Sequence, residues 1–412
     1  MLRDVFGQAI QAMRHNGRRT AITIAGMAWG IATVVLLLAY GAGFGHAIEA
    51  IFAQWGTHSI GVFGGRTSEQ AGGDKAGALI RFTADDMERI AETVPGVGRV
   101  APDFWKNVPV SNELHNFTWE VDGTTAEFAD ILKMEVSTGR FLTTTDVQQR
   151  DHVVVIGSEA KTKLFSGMDA IGQPVHINGI DFEVIGVLVP KMQESDDNVN
   201  RVLYIPSTTM SDLKDTKYID GIWMDYKGDN MQVERALRNT LAAAHNFKPT
   251  DRNAIHVANL QQQLEQFSIV TIALQVLLTF IGALTLGIAG IGLMNIMLVS
   301  VQQRTREIGI EKALGARRSH ILLQFLSEAM VITGIGGVCG ILLAYIVSFS
   351  VGSITFYSAV AANASAADIR LIISPSTILI STIILVVVGL VSGMIPAIQA
   401  SRLDPIEALR YE

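Results

Sequence analysis

Four long stretches of this sequence carry no charged side chain, and they limit what the chain can fold into more than any other feature. They cover residues 20–45, 266–303, 329–367 and 371–401. A helix needs about 20 apolar residues to cross the hydrocarbon layer of a membrane, and each stretch is at least that long. The sequence therefore predicts a membrane α-helical protein with four transmembrane helices, at residues 20–45, 259–301, 321–351 and 375–401, of which 259–301 also includes a stalk before the membrane.

The basic residues beside these spans predict their orientation. Those before the first span and after the second are Arg3, Arg14, Arg18, Arg19, Arg304, Arg306, Lys312, Arg317 and Arg318. The connection after the third span, residues 352–374, contains Arg370 as its one basic residue. Because short loops rich in Lys and Arg stay in the cytoplasm, both termini and residues 302–320 are predicted to be cytoplasmic. Residues 46–265 are then extracytoplasmic, and the protein is expected in the bacterial inner membrane.

The segment before the first span, residues 1–19, has apolar residues three and four positions apart. They are Leu2, Val5, Phe6, Ala9, Ile10 and Met13. This spacing predicts an amphipathic helix on the cytoplasmic membrane surface, in contact with lipid headgroups. Arg18 and Arg19 could instead belong to a twin-arginine export signal. An uncleaved span fits better, because its apolar run is long for a signal and three more spans follow.

Residues 46–265 have a different character from the spans. Short runs of β-forming residues alternate with Gly, Pro, Asn and Asp, and acidic residues outnumber basic ones. This pattern predicts a large α+β domain. Two strand–helix–strand halves, at about 46–115 and 216–258, are predicted to bracket a β-rich insertion at about 116–215. The predicted elements of the halves are strands 58–63, 98–107, 221–226 and 254–258 and helices 84–93 and 231–246.

The second span is predicted to begin before the membrane as a stalk. Leu260, Leu264, Phe267 and Leu274 form one apolar stripe at helical spacing. Residues 259–281 contain neither Gly nor Pro. A helix from residue 258 to residue 301 would be about 66 Å long, roughly twice the hydrocarbon thickness. The alternative is an ordinary span preceded by a linker.

Small residues recur every fourth position in the last two spans. In the third span they are Gly336, Gly340 and Ala344, and in the fourth Gly389 and Gly393. Helices in lipid gain little from burying more apolar surface, so close approach through small residues is expected to hold them together. The alternative is that small residues are simply frequent in membrane helices.

The chain shows no motif for chemistry of its own. It lacks the G-x-x-x-x-G-K-[ST] phosphate-binding loop, HExxH and GxSxG, and its nine His are scattered. Cys339 is the one cysteine and is interpreted as a packing residue. Glu328, near the cytoplasmic end of the third span, is expected to pair with an arginine rather than relay protons. With a net charge of −7, the chain is not expected to bind nucleic acid. We predict no catalytic, cofactor or metal site.

Residues 302–320 join the second and third spans and are predicted to form a short amphipathic helix that stops at Gly315. The runs Arg306-Glu307-Ile308-Gly309-Ile310 and Lys312-Ala313-Leu314-Gly315-Ala316 resemble the cytoplasmic coupling segment of the MacB/FtsX-like ABC transporter permeases, the mechanotransmission or type VII family. The end of the chain, with Pro396, Ala400, Arg402, Asp404-Pro405 and residues 407–410, resembles their closing pattern.

The resemblance implies a role for each of these segments. The ten residues of the two runs would contact an ATPase, with Glu307 and Lys312 as candidate polar contacts. The external domain would be a split β-α-β, porter-like domain. Its partners would be a second permease, identical or related, and a periplasmic adaptor (membrane fusion) protein. MacB itself carries its ATPase in the same chain. Because this sequence has no phosphate-binding loop, ATP and Mg²⁺ are expected in a separate ABC ATPase subunit.

The function expected from the resemblance is that of a non-catalytic permease in an export complex. ATP hydrolysis in the partner would move the periplasmic domain and drive efflux of a hydrophobic or peptide-like substrate. Two alternatives have the same topology: an FtsX-like regulator that signals to an external enzyme, and a permease that extracts lipoproteins. The size of the external domain favours export or extraction, by analogy only.

Overall fold

The computed structural model describes residues 17–71, 75–194, 199–359 and 361–410. Within these residues the chain forms two units. The membrane unit comprises residues 17–46, 269–354 and 369–410, and the external unit comprises residues 47–268 and 355–368. The predicted surface helix at residues 1–19 lies outside the described residues, except for its last three, which begin the first helix.

The helices and strands are numbered along the chain. The helices are α1 (Gly17–Ala53), α2 (Ala84–Thr93), α3 (Glu127–Ile131), α4 (Thr144–Gln149), α5 (Ser158–Phe165), α6 (Asn230–His245), α7 (Leu260–Gln303), α8 (Thr305–Ala313), α9 (Arg318–Val351), α10 (Pro375–Arg402) and α11 (Pro405–Arg410). The strands are β1 (Ser59–Gly64), β2 (Val97–Ser111), β3 (Asn116–Thr124), β4 (Val136–Gly139), β5 (Val153–Ile156), β6 (Pro174–Ile177), β7 (Ile180–Leu188), β8 (Gln193–Glu194), β9 (Leu203–Pro206), β10 (Gly221–Tyr226), β11 (Ile255–Asn259), β12 (Ser353–Ile354), β13 (Ala361–Ala362) and β14 (Ile369–Arg370).

Four of these helices are long and apolar enough to cross a membrane: α1, α7, α9 and α10. Each contains one of the predicted spans, except that α7 begins one residue after the predicted start at 259. Their length follows from the runs without charge, because an α-helix satisfies the hydrogen bonds of its own peptide groups while it crosses the lipid. The four-span fold class is therefore confirmed.

The small residues of α9 lie against α1. A side chain at Gly336 would meet Met27 Cβ at 2.7 Å, and one at Gly340 would overlap Ile31 and the backbone of Ala28. Ala344, on the same face, is fully buried. The missing side chains thus let the backbones of α9 and α1 approach closely.

The small residues of α10 face α9 instead. A Cβ at Gly389 would lie 2.8 Å from Thr333 Cγ2, and one at Gly393 would lie 2.6 Å from Ala329 Cβ. The two stripes therefore face different neighbours, α9 against α1 and α10 against α9. Sequence spacing finds both stripes but does not reveal which helix each one meets.

Helix α7 is continuous over 44 residues. It starts directly after β11, where the Asn259 side chain accepts a hydrogen bond from the Gln262 backbone N–H at 3.1 Å. Of the predicted stalk residues, Leu260 and Leu264 in the external unit and Leu274 in the membrane unit are half-buried. The ring of Phe267 lies 5.5 Å from that of Phe52. The segment before the span is therefore helical, and the alternative of a linker is wrong.

One sheet organises the external unit, with strand order β11-β1-β10-β2-β3-β9-β5-β7-β4 and β6 pairing with β2 and β7. The two halves interleave, because β1 lies between β10 and β11 and β10 pairs with β2. Buried residues such as Ile60, Ile222, Ile90 and Leu237 join the strands to α2 and α6 in one core. The predicted split β-α-β domain is confirmed.

The insertion continues this sheet rather than forming a separate one. Strand β2 was predicted to end at residue 107, yet it runs to Ser111 and pairs with β3 along that length. Val108 and Val110, beyond the predicted end, are buried in the core, which explains the extension. Short helices α3, α4 and α5 interrupt the predicted β-rich segment. They are too short for helical periodicity to reveal them.

Gly340→Ala should destabilise the membrane unit, because the new methyl group has no room beside Ile31 and Ala28. Overpacking of this kind lowers the free energy of unfolding by about 1–3 kcal/mol. Gly334→Ala, on the same helix, is the matched control, because a side chain there meets nothing within 4 Å. Thermal unfolding in detergent measures both variants. Equal melting temperatures would contradict the packing described here.

Candidate functional site

The site is built on α8, the short helix that follows α7 after a single residue. The Thr305 hydroxyl donates to the carbonyl oxygens of Val301 at 3.1 Å and Gln302 at 2.8 Å, which fixes the turn between the two helices. At the other end Gly315 has a φ of 99°, a left-handed conformation that suits glycine at a helix stop. Helix α9 begins three residues later. The predicted amphipathic helix thus occupies Thr305–Ala313.

The inner face of α8 is part of the core of the membrane unit. Ile308 is 3% exposed, and Gly309 beside it is buried. Ile308 belongs to a cluster with Val301 of α7, Phe325 of α9 and Ala400 of α10. Helix α8 therefore packs against the ends of three spanning helices.

Lys312 ties α8 to the end of α10. Its Nζ donates to the carbonyl oxygen of Ser401 at 2.9 Å and to that of Leu403. The last carbonyls of a helix lack partners within it, and a cation there also interacts favourably with the helix dipole. Burial, followed by the nearby charge of Arg318, lowers the pKa of Lys312. The sequence interpretation gave Lys312 to the ATPase as a polar contact, whereas the structure uses its ammonium group within the chain.

Arg304, between α7 and α8, forms a second link. Its Nη1 donates to Glu328 Oε2 of α9 at 3.3 Å, and its Nε lies 3.9 Å from Glu307 Oε2. The Glu328 side chain is only 10% exposed, so an arginine partner offsets much of the penalty of burying its charge. The expectation that Glu328 pairs with an arginine is confirmed.

The outer face of α8 is open. Leu314 is 84% exposed and Ile310 is 45% exposed. Arg306, Glu307, Ala313 and Gly315 are also exposed, and Ala316 is half-buried. Of the ten residues assigned to ATPase contact, the structure therefore leaves the outer ones accessible and buries Ile308 and Gly309.

Helix α11 packs against α8 and adds to this surface. Asp404 Oδ1 accepts from the Ile406 backbone N–H at 2.9 Å, and Ala408 is buried. Ile406 is 72% exposed. We call Ile310, Leu314 and Ile406 the coupling surface. Sequence reasoning missed Ile406, although an isolated apolar residue between Asp404 and Glu407 was a usable signal.

Over the residues that the structure describes, no group of three or more His, Cys, Asp and Glu side chains could hold a metal ion. Cys339 is a free, exposed thiol in α9, so its interpretation as a packing residue is wrong for the isolated chain. The coupling surface thus consists of large exposed apolar side chains on α8 and α11, two helices that pack against each other.

Lys312→Met should loosen the attachment of α8 to α10, because it keeps the apolar stem and removes the donor to two carbonyl oxygens. Loss of a hydrogen bond from a charged group is expected to lower the free energy of unfolding by about 1.5–3 kcal/mol. Arg306→Gln is the control, since this exposed side chain lies on the same helix. Thermal unfolding in detergent compares them. An unchanged melting temperature for Lys312→Met would show that the link contributes nothing.

Two protein families match the chain. The MacB-like periplasmic core domain matches residues 20–240, and the FtsX-like permease C-terminal region matches residues 279–405. The second match contains α8, α9 and α10 and ends at the first residue of α11, so Ile310 and Leu314 lie inside it and Ile406 lies one residue beyond its end.

Relatives with similar sequences are long proteins. The macrolide export ATP-binding/permease protein MacB of Bdellovibrio bacteriovorus is 32% identical over 98% of this chain and 61% of its own length. The pyoverdine export ATP-binding/permease protein PvdT of Pseudomonas putida is 32% identical over 98% of this chain and 59% of its own length. The chain thus spans about 60% of the length of these curated relatives.

A solved structure is also similar to part of the chain. The periplasmic region of MacB from Actinobacillus actinomycetemcomitans shares 22% identity with a TM-score of 0.43, covering 54% of this chain and 97% of that one. The family assignment is based on the sequence matches, which together extend over both units. The chain belongs to the family of MacB/FtsX-like permeases.

Proposed function

We propose that this chain is the permease of an ATP-driven export complex whose ATPase is a separate subunit. The observation that carries the proposal is the coupling surface. Leu314, Ile310 and Ile406 are exposed at the end of the membrane unit where the spanning helices meet α8. Large apolar side chains grouped at a surface are typical of a protein–protein contact. ATP and Mg²⁺ would be bound by that ATPase subunit.

The way α8 is held supports mechanical coupling. A docking surface transmits force only if it is attached firmly to what it moves. Ile308 attaches α8 to the helix cluster, Lys312 to α10, and Arg304 to α9. Displacement of α8 by a closing ATPase would therefore move the spanning helices rather than bend the loop.

Helix α7 would carry that movement toward the periplasm. It is a single helix from Leu260 to Gln303, about 66 Å long at about 1.5 Å per residue. Its outward-facing residues, including Val276, Phe280 and Leu284, are exposed in the chain by itself. This face would contact lipid or a second permease, identical or related. A periplasmic adaptor protein would engage the external unit.

Export is favoured over the two alternatives by the names of the relatives. Curated proteins that match nearly the whole chain are described as exporters of macrolides and of pyoverdine. The proposed substrate is a hydrophobic or peptide-like molecule. Regulation of an external enzyme and extraction of lipoproteins are the competing functions. An export assay with purified complex in liposomes separates them.

The double variant Leu314→Asp/Ile406→Asp should weaken ATPase docking, because each carboxylate would have to be desolvated in an apolar contact. We expect the affinity for the ATPase to fall at least about 10-fold, which corresponds to about 1.4 kcal/mol. Permease-stimulated ATP hydrolysis should fall with it. His320→Asp, an exposed position at the start of α9, is the control. Gly309 is unsuitable for this test, because it is buried and its replacement would disturb the helix itself.

Two results would overturn the proposal. Unchanged ATPase stimulation by the double variant would show that Leu314 and Ile406 do not form the docking surface for the ATPase. Purification of the tagged permease from native membranes without any ATPase subunit would contradict the proposed transporter function as a whole.

The proposed orientation, with both termini in the cytoplasm, follows from the basic residues beside the spans. In a Cys339→Ala background, Asp215→Cys in the external unit should react with a membrane-impermeant maleimide added to spheroplasts. Glu311→Cys on α8 should react only after the membrane is opened. Both side chains are exposed, so access depends on the membrane alone. The reverse labelling pattern would invert the orientation.

A further inference from the structure

Two aspartates lie close together on one face of the external sheet. The antiparallel register of β2 and β3 pairs Trp105 with Asp122 and Phe104 with Gly123. Asp103 and Asp122 therefore point to the same side as diagonal neighbours, at a Cβ separation of about 7–8 Å or somewhat less. They occupy the strand pair that joins the split β-α-β halves to the insertion.

Both side chains are buried and incompletely bonded. Asp103 and Asp122 are each 7% exposed. Asp103 Oδ2 accepts from Trp223 Nε1 at 3.2 Å, but the Oδ1 atoms of both aspartates have no hydrogen-bond partner within the described structure. A buried carboxylate without a partner is strongly unfavourable, and the usual outcome is that the group takes up a proton.

The charges that face the pair are mostly of the same sign. Glu120 on β3 and Asp220 before β10 both add negative potential. Lys214 is the nearby cation, and its Nζ forms an ion pair with Asp220. Tyr204 of β9 lies opposite Asp122 in the parallel register. Burial raises the pKa of Tyr204 well above its ordinary value, so it stays neutral.

Burial and these charges act on the pair in the same direction. Burial is the larger cause, and it raises the pKa of Asp103 to about 7 even though the Trp223 hydrogen bond opposes the shift. The pKa of Asp122 is raised well above its ordinary value by burial and by the charges of Asp103, Glu120 and Asp220. Two carboxyls so close do not both ionise readily.

We propose that Asp103 and Asp122 form a proton-binding site that holds the β2–β3 junction together while a proton is bound and loosens it when the proton leaves. With a proton on one unpartnered oxygen, that oxygen becomes a donor and the other aspartate supplies an acceptor. After release, two negative charges face each other inside the sheet. The site depends only on the external unit and is independent of the proposed transport function.

The sign of the pH dependence follows from proton linkage. In the unfolded chain both aspartates have pKa values of about 4, whereas the folded values are raised. Between these values the folded state binds more protons than the unfolded state. Stability therefore falls as pH rises above about 4, and it levels off only above the folded pKa values of both aspartates.

Infrared difference spectroscopy of the full chain in lipid nanodiscs tests the site directly. A protonated buried carboxyl has its own carbonyl stretching band, which should weaken as pH rises through about 7, where Asp103 releases its proton. All variants carry Glu328→Gln, so that the buried carboxyl of α9 does not contribute. Asp103→Asn/Asp122→Asn should abolish the titrating band, whereas Asp215→Asn, at an exposed position, should keep it.

Melting temperatures across the same pH range provide the second readout. The melting temperature of the Glu328→Gln parent should fall with rising pH, and the double asparagine variant should show a flatter profile. If the double variant does not fold, Asp103→Asn alone should move the midpoint of the Asp122 band to lower pH, because the negative charge of Asp103, one of the causes that raise the Asp122 pKa, is gone. A titrating band that survives in the double variant, a parent spectrum without the band, or an unmoved midpoint would overturn the proposal.

Discussion

The structure of the membrane unit depends on the contact between α9 and α1 at Gly340. Lipid already surrounds apolar side chains, so helices in it associate through close packing rather than through the hydrophobic effect. A hydrogen at Gly340 in place of a side chain brings the two backbones together, and Ile31 occupies the space that results. Gly393 does the same for α10 against α9. These contacts hold the spanning helices together, and the ends of α7, α9 and α10 then form the surface against which α8 packs.

That surface explains how a helix of nine residues can have a fixed position. An isolated helix of this length is unstable in water, so tertiary contacts must hold it. Ile308 supplies apolar burial, and Lys312 supplies a charged donor to carbonyl oxygens that would otherwise lack partners. The outer residues are then displayed on a firm support, which suits a surface that receives force.

The external unit has a largely apolar core that also contains a pair of buried acidic side chains. Its sheet passes without interruption from the split halves into the insertion through β2 and β3. Most buried side chains along this path are apolar, but Asp103 and Asp122 interrupt them with two acidic groups. A buried polar group that lacks partners lowers stability, so its presence at a junction is a reason to look for a role.

The sequence by itself determined the features that depend on local pattern. Runs without charge fixed the four spans, because lipid excludes ionised side chains. The bounds of α2 were predicted to the residue, and in the structure Thr83 and Asp86 form a capping box at its start, a signal that lies in neighbouring residues of the chain. The coupling helix and its stop at Gly315 also followed from local residues.

Only the tertiary structure decided what depends on distant neighbours. The spacing of residues along the sequence predicts which face of a helix each side chain occupies. It does not predict which other element that face contacts. Hence Lys312, interpreted as a contact for the ATPase, binds the end of α10, and Ile406 joins a surface that sequence had confined to α8. In the same way Asp103 and Asp122 are ordinary acidic residues in the chain. They become a pair only because the register of two strands places both on one buried face.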